Sequence, residues 1–249
     1  MSTRALKRIN NDILELERSK ENLNSDGIYF YYDESNIYTL LFMIVGPRDT
    51  PYENGFYFFE LTFKDTYPME PPIVKYMTQG VLPSINNINK LVRFNPNLYT
   101  CGKVCLSMLN TWEGPRWVPT NTVSNILVAI QALVLNSNPL ENEPGYENKN
   151  DENLINLYNA YNSIIEFANI KITVIDMYLN IPKGFEVFKD IMKGLIISNR
   201  SFYENKIEMN IQKIGIGIKL VLKIRYSDMN FILDYNELKI KFNDFYENL

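Results

Sequence analysis

The hydrophobic period of the chain changes within its first thirty residues. Apolar residues recur at helical spacing over residues 4–18, at Leu6, Ile9, Ile13 and Leu16. This spacing predicts an amphipathic helix whose other face is basic. Aromatic and β-branched segments divided by turn-forming clusters then predict four strands, over residues 28–32, 37–45, 56–63 and 73–77. Because the connections are short, the strands are expected to form an antiparallel meander.

The periodicity is lost over residues 81–119, which contain both cysteines and both tryptophans. A long irregular segment in a compact domain is usually functional or disordered, and its aromatic residues indicate order here. Helical spacing returns over residues 123–134, and a second long helix is expected from Asp151 to Leu179. Residues 213–226 alternate in places as a strand does, but the period does not separate a strand from a helix there.

The amino-acid composition excludes several classes of catalytic mechanism. The 249 residues include no histidine, so hydrolases with a Ser-His or Cys-His pair and His-ligated zinc enzymes are excluded. A cysteine can still attack an activated thioester, since a few per cent of an ordinary thiol is thiolate near pH 7. The net charge of −4 gives no indication of a nucleic-acid surface.

The two cysteines, Cys101 and Cys105, are expected to be free thiols in a reducing compartment. With no further Cys or His, a structural zinc site lacks ligands, and a single small disulfide is the less favoured alternative. No run approaches the roughly 20 apolar residues of a membrane span, and residues 1–12 lack a signal-peptide core. We therefore expect an intracellular protein, cytoplasmic or nuclear, with no cofactor, metal or membrane partner.

Several motifs in fixed order carry a family resemblance. They are Gly46-Pro47, Thr50-Pro51-Tyr52, Tyr67-Pro68-x-x-Pro71-Pro72, Asn95-Pro96-Asn97, Gly102-Lys-Val-Cys105-Leu-Ser107 and Trp117-x-Pro119. With them, the chain resembles the ubiquitin-conjugating enzymes. The segments RFNPNLY, GKVCLSMLNTWEGPRW and NEPGYE are most similar to the large Z-type subgroup, which also carries a C-terminal extension.

The resemblance implies an α+β, ubiquitin-conjugating (UBC-like) fold, with an N-terminal helix, a four-stranded antiparallel meander and C-terminal helices. It implies a catalytic core over residues 1–180 and a C-terminal extension over residues 181–249, packed on or beside the core. We hypothesise that the extension selects the activating enzyme or the modifier.

The resemblance also implies an activity in an ATP-dependent pathway. Cys105 is expected to accept ubiquitin, or a ubiquitin-like modifier, from an activating enzyme as a thioester. It then passes the modifier to a substrate lysine or to a ubiquitin ligase. Asn97, eight residues before Cys105, is the candidate to orient or stabilise the tetrahedral oxyanion.

One position departs from the family motif, because Asn95 replaces the histidine of its His-Pro-Asn turn. An asparagine can hydrogen-bond the local backbone but cannot titrate. Glu143 is the candidate acidic residue beside the acceptor lysine; the alternative is a solvated loop carboxylate.

The partner surfaces implied by the family fall on two regions. Arg4, Lys7 and Arg8 match a basic helix face offered to the activating enzyme, although a basic face of this kind is usually only solvated. Phe63, Pro119 and Thr120 match two loops that contact ligases. Phe63 has a second interpretation, as the buried end of a strand.

Two other functions compete with an active enzyme. A non-catalytic ubiquitin- or ligase-binding module of the same fold would be expected to lack the cysteine, yet Cys105 is present in full context. A redox protein that uses Cys101 and Cys105 is disfavoured by the spacing of the pair.

Overall fold

The computed structural model describes residues 3–86, 88–147, 152–224 and 226–249. The N-terminal half contains α1 (Thr3–Arg18), α2 (Lys20–Ser25), β1 (Ile28–Asp33), β2 (Asn36–Val45), β3 (Phe56–Thr62), β4 (Ile73–Tyr76), β5 (Val81–Pro83), β6 (Asn89–Leu91) and α3 (Val123–Ala129). The C-terminal half contains α4 (Glu152–Ala168), α5 (Met177–Leu179), α6 (Lys189–Ser198), α7 (Arg200–Ile214), β7 (Leu220–Ile224), β8 (Met229–Leu233) and α8 (Tyr235–Glu247).

Strands β1 to β4 form one antiparallel sheet in chain order, which confirms the predicted meander. Phe42 of β2 lies opposite Phe59 of β3, and their rings stack with centroids 5.0 Å apart. The connection after β2 requires Gly46, because a Cβ there would lie 1.7 Å from the Tyr52 carbonyl oxygen. The Gly-Pro motif therefore has a steric reason at this turn.

Helix α1 confirms the amphipathic helix predicted for residues 4–18. Ala5, Ile9, Ile13 and Leu16 are buried along one face, and the helix packs against α3. The predicted helix over residues 123–134 is present as α3 followed by π-helical turns, Ile130–Val134. The α+β fold class is thus confirmed.

Three other segments differ in detail from the sequence prediction. Residues 81–119 contain two short strands, β5 and β6, and a 3-10 turn, Ser107–Leu109. The long helix runs through α4, a π-helical segment, Asn169–Asp176, and α5; Asp151, its predicted start, lies outside the described residues. Residues 213–226 contain the end of α7 and the strand β7, so each of the two open interpretations describes one part.

The chain beyond residue 180 packs on the sheet. Alternate side chains of a strand point to opposite faces, and β3 is buried on both. Phe58 meets the rings of Phe185 and Phe188, with centroids 5.1 Å and 6.3 Å away. The Tyr203 hydroxyl of α7 donates to the Asn54 carbonyl at 2.8 Å. These contacts join the C-terminal segment and the sheet in one hydrophobic core.

Within the described residues, no helix combines the length and the apolar character needed to cross a membrane.

Candidate active site

The Asn-Pro-Asn turn is built around Asn95, which is fully buried. The Asn95 amide nitrogen donates to the Val134 carbonyl at 2.7 Å and to the Tyr52 hydroxyl at 3.0 Å. Its amide oxygen accepts from the Asn97 backbone N–H at 2.8 Å and from the Asn142 side chain at 3.3 Å. Both N–H groups and the oxygen of the amide are therefore used, and the turn is held without an imidazole.

Asn97 and Cys105 are joined by two hydrogen bonds. The Asn97 Nδ2 donates to the Cys105 carbonyl oxygen at 2.6 Å, and the Cys105 N–H donates to the Asn97 carbonyl at 2.8 Å. Because the amide nitrogen carries two hydrogens, this contact leaves one N–H for another acceptor. The Asn97 Oδ1 is buried with no hydrogen-bond partner among the described residues.

Cys105 is 1% exposed. Burial raises the pKa of its thiol above the ordinary value, while the positive charges of Lys103 and Arg93, and hydrogen bonding with Tyr99, act in the opposite direction. A thiol with a raised pKa is mostly protonated near neutral pH. This setting suits reaction with an activated ester better than reaction with an amide.

The segment before Cys105 is fixed to the sheet. Gly102 adopts φ +90°, a left-handed conformation that favours glycine, and its carbonyl accepts the Tyr76 N–H at 2.8 Å. Both cysteines are free thiols, with Cys101 exposed and Cys105 buried. The two thiols therefore differ in access although they are four residues apart.

Glu143 follows a 3-10 turn, Pro139–Asn142, and is partly buried. Its backbone N–H donates to the Leu140 carbonyl at 3.1 Å. The Glu143 carboxylate adds to the effect of burial in raising the pKa of Tyr226. The loop acid predicted from the sequence thus lies beside a residue of the C-terminal segment.

The three basic residues predicted on one face of α1 differ in their exposure and in their contacts. Arg4 and Lys7 are exposed, but the Arg8 side chain is only 20% exposed and pairs with Asp12 at 3.1 Å. The Arg8 guanidinium also donates to the carbonyls of Pro119 and Asn121. Arg8 therefore differs from the expected solvated or partner-binding residue, because its donors are used within the chain.

The three residues matched to ligase contacts also differ in exposure. Pro119 and Thr120 are exposed. Phe63 is 5% exposed, and its ring lies 4.8 Å from that of Tyr67. The interpretation as a buried strand end therefore describes Phe63, and Pro119 and Thr120 form the accessible part of this set.

Sequence reasoning did not single out Asp12. Asp12 is 2% exposed and accepts a hydrogen bond from the Tyr67 hydroxyl. Burial raises the pKa of the Asp12 carboxyl, whereas Tyr67 and Arg8 lower it. The available signal was an aspartate on the apolar face of α1, four residues after an arginine, which is the spacing of a helical ion pair.

Across the described part of the chain, no group of three or more His, Cys, Asp or Glu side chains is arranged to hold a metal ion.

Comparison with known proteins agrees with this architecture. The model of the family described as ubiquitin-conjugating enzyme matches residues 8–168. A Homo sapiens protein named ubiquitin-conjugating enzyme E2 Z is 37% identical over 199 residues, which cover 80% of this chain and 52% of that protein. The Xenopus tropicalis protein of the same name is 35% identical over 203 residues, covering 82% and 60%.

A probable ubiquitin-conjugating enzyme, E2 R521 of Acanthamoeba polyphaga mimivirus, is 37% identical over 187 residues, covering 73% of this chain and 12% of that protein. The chain spans about half to three fifths of the E2 Z proteins cited. The family match extends through the helix, the sheet, the cysteine segment and α4, and on this ground the chain belongs to the ubiquitin-conjugating enzyme family.

Proposed function

We propose that this chain accepts ubiquitin, or a ubiquitin-like modifier, as a thioester on Cys105 and transfers it to a substrate lysine or to a ligase. The observation that carries the proposal is the pairing of Asn97 with Cys105 at 2.6 Å. Of the two cysteines, Cys105 is the one whose backbone carbonyl accepts a hydrogen bond from the side-chain amide of Asn97. That amide has a second N–H, which is left for an oxyanion.

The first step is an exchange of thioesters. The Cys105 thiolate attacks the carbonyl carbon of the thioester that joins the modifier to the activating enzyme. A tetrahedral oxyanion forms, and it collapses with departure of the activating enzyme's thiolate. The modifier is then bound through a new thioester to Cys105, and the thiol proton has passed to solvent. No amide bond is broken, so no histidine base is required.

The second step transfers the modifier from Cys105. A lysine amine attacks the thioester carbonyl, the Cys105 thiolate leaves, and the amine loses a proton. A free lysine has a pKa of about 10.4 and is mostly protonated near pH 7. Glu143 is the proposed carboxylate near the incoming amine, and its partly buried position beside Tyr226 supports that role. Asn97 is proposed to stabilise the oxyanion.

We assign the partner surfaces to those predicted residues that are exposed. We assign Arg4 and Lys7 to the activating enzyme, and Pro119 and Thr120 to the ligase. We assign residues 1–180 to the catalytic core and residues 181–249 to the extension, and we place the protein in the cytoplasm or nucleus. The hydrogen bonds from Arg8 to Pro119 and Asn121 make the two surfaces neighbours.

A charging assay tests the proposal. Purified chain, ATP, ubiquitin or another modifier and a panel of activating enzymes are combined and separated on non-reducing gels. We expect a thiol-sensitive band that Cys105→Ala abolishes and Cys101→Ala leaves intact. If no band forms with any activating enzyme and modifier, the proposal fails and the binding-module interpretation takes its place.

A further inference from the structure

Arg93 lies two residues before the Asn-Pro-Asn turn and is fixed to the segment that leads to Cys105. Its Nη2 donates to the Pro96 carbonyl at 2.6 Å. Its guanidinium carbon lies 3.9 Å from the centroid of the Tyr99 ring, within the range of a cation–π contact. Two residues of the cysteine segment therefore contact the same cation.

The other side of Arg93 is covered by the C-terminal extension. Its Nη1 donates to the Ser227 hydroxyl at 3.3 Å, and the Tyr226 ring centroid lies 5.4 Å from the guanidinium carbon. Both residues belong to a turn, Tyr226–Asp228, between β7 and β8. Lys90 pairs with Asp228 in the same turn. The extension thus reaches the residues around Cys105.

Tyr226 is held in place by aromatic packing. It is 8% exposed, and its ring meets those of Tyr146 and Tyr161 with centroids 6.0 Å away in each case. The Tyr161 hydroxyl donates to the Arg93 carbonyl at 2.7 Å. A buried ring fixed on several sides restricts the position of the cation that it faces.

We propose that the Tyr226–Asp228 turn of the extension is part of the active-site scaffold, and that Arg93, held between this turn and Tyr99, is a positioning residue for Cys105. Arg93 orders the Pro96–Tyr99 segment and places a positive charge near the sulfur, where negative charge develops on the thiolate. The inference rests on the proposed role of Cys105 as the acceptor.

The charges around the thiol set the size of the expected effect. Lys103, Arg93, Tyr99 and Cys101 act on the Cys105 thiol, and Glu143 acts on Tyr226. Displacing one cation removes part of the stabilisation of the thiolate. A change of one half to one pKa unit alters the thiolate fraction, and hence the alkylation rate below the pKa, by about three- to tenfold.

Alkylation of Cys105 by iodoacetamide, followed over pH 7 to about 11 in a Cys101→Ala background, measures this effect without modifier or activating enzyme. We expect Arg93→Met, Tyr226→Leu and Ser227→Ala to move the alkylation profile to higher pH and to slow the reaction at pH 7.5. Arg93→Lys keeps the charge and should restore part of the rate. The rate of charging, measured separately, should fall in the same order.

Two controls separate this role from general loosening. Lys239→Met breaks an ion pair with Glu208 that does not involve this turn, and Arg200→Met removes a guanidinium that packs on the Tyr246 ring. Both should leave the alkylation profile unchanged.

If Tyr226→Leu folds poorly, Ser227→Ala is the decisive variant, because it removes only a hydroxyl. An unshifted profile in folded Ser227→Ala and Arg93→Met would overturn the inference, even if charging on Cys105 is established; a shifted profile without charging would contradict the proposed function alone.

Discussion

The side-chain amide of Asn97 lies 2.6 Å from the backbone carbonyl oxygen of Cys105. This hydrogen bond fixes the amide relative to the sulfur, because both belong to one short loop that also pairs through the Cys105 N–H. A donor fixed in advance stabilises an oxyanion more than a mobile one. The fold therefore places the side chain of Asn97 where the proposed reaction needs a hydrogen-bond donor.

Replacing Asn97 with Ala should slow transfer of the modifier to lysine. The loss of one oxyanion donor typically costs about 10²–10³ in rate. Single-turnover transfer from the preformed thioester to free lysine measures the change. The matched control is Asn210→Ala, which removes an amide that donates to the Lys206 carbonyl on α7. A transfer rate within about threefold of the wild-type value would exclude Asn97 from the step, since that change is far below the cost of a lost donor.

Asn95→Ala should destabilise the fold. The substitution leaves the buried Val134 carbonyl and the Asn97 N–H without the partners that Asn95 provides. Each unsatisfied buried group costs about 1–3 kcal/mol, so the free energy of unfolding should fall by at least about 2 kcal/mol. Urea unfolding measures it, and Asn248→Ala at the exposed C-terminus is the control. A loss under about 0.5 kcal/mol would show that the turn does not depend on Asn95.

Arg8 and Lys7 should differ in what they support, although they are adjacent in sequence. Arg8→Met leaves the buried Asp12 carboxylate without its cation, so the free energy of unfolding should fall by about 1–3 kcal/mol, discounted for the partial exposure of Arg8. Lys7→Met at an exposed position should change it by less than about 0.5 kcal/mol and should weaken charging instead.

The double variant Arg8→Met/Asp12→Asn tests the reason for this difference. Removing the unpaired charge should recover part of the stability lost in Arg8→Met. If Arg8→Met is as stable as Lys7→Met in urea, the internal role of Arg8 is wrong and the residue returns to the partner-binding face.

Removing the extension should damage the core itself. A chain that ends at residue 180 loses Phe185 and Phe188 and exposes Phe58 on the sheet. Burial of one large apolar side chain contributes roughly 1.5–3 kcal/mol, so we expect residues 1–180 to unfold at a lower temperature and to aggregate. Thermal unfolding by circular dichroism is the measurement.

This expectation bears on the hypothesis that the extension selects the activating enzyme or the modifier. Truncation would confound specificity with folding, so point variants on the exposed surface of the extension are the appropriate test. If residues 1–180 melt at the same temperature as the full chain, the two parts are independent units and truncation becomes informative.

The elements that the sequence predicts well are those whose signal is local. The apolar stripe of α1 and the aromatic strands β1 to β4 depend on spacing within each segment, and the structure confirms both predictions. The closeness of Asn97 and Cys105 followed from a family motif with fixed spacing. The use of Asn95 as an anchor also fits the hydrogen-bonding capacity of an amide.

The features that were missed depend on distant contacts. Arg8 bonds to carbonyls more than a hundred residues away, and no periodicity of α1 reports that contact. The contact of Tyr226 with Arg93 joins the C-terminal segment to the candidate active site across more than 130 residues. Uninterrupted aromatic residues in β3 were a signal, in retrospect, that a second layer covers the sheet.

The central claim is that Cys105 carries the modifier, and a trapped ester tests it most directly. Charging the Cys105→Ser variant should give an adduct that survives reducing thiol but not mild alkali, because an oxygen ester replaces the thioester. Peptide mapping by mass spectrometry should place the modifier on residue 105, and Cys101→Ser should still form the thiol-sensitive adduct of the wild type. An adduct that maps to residue 101, or a Cys105→Ser variant that forms the same thiol-sensitive adduct as the wild type, would contradict the account.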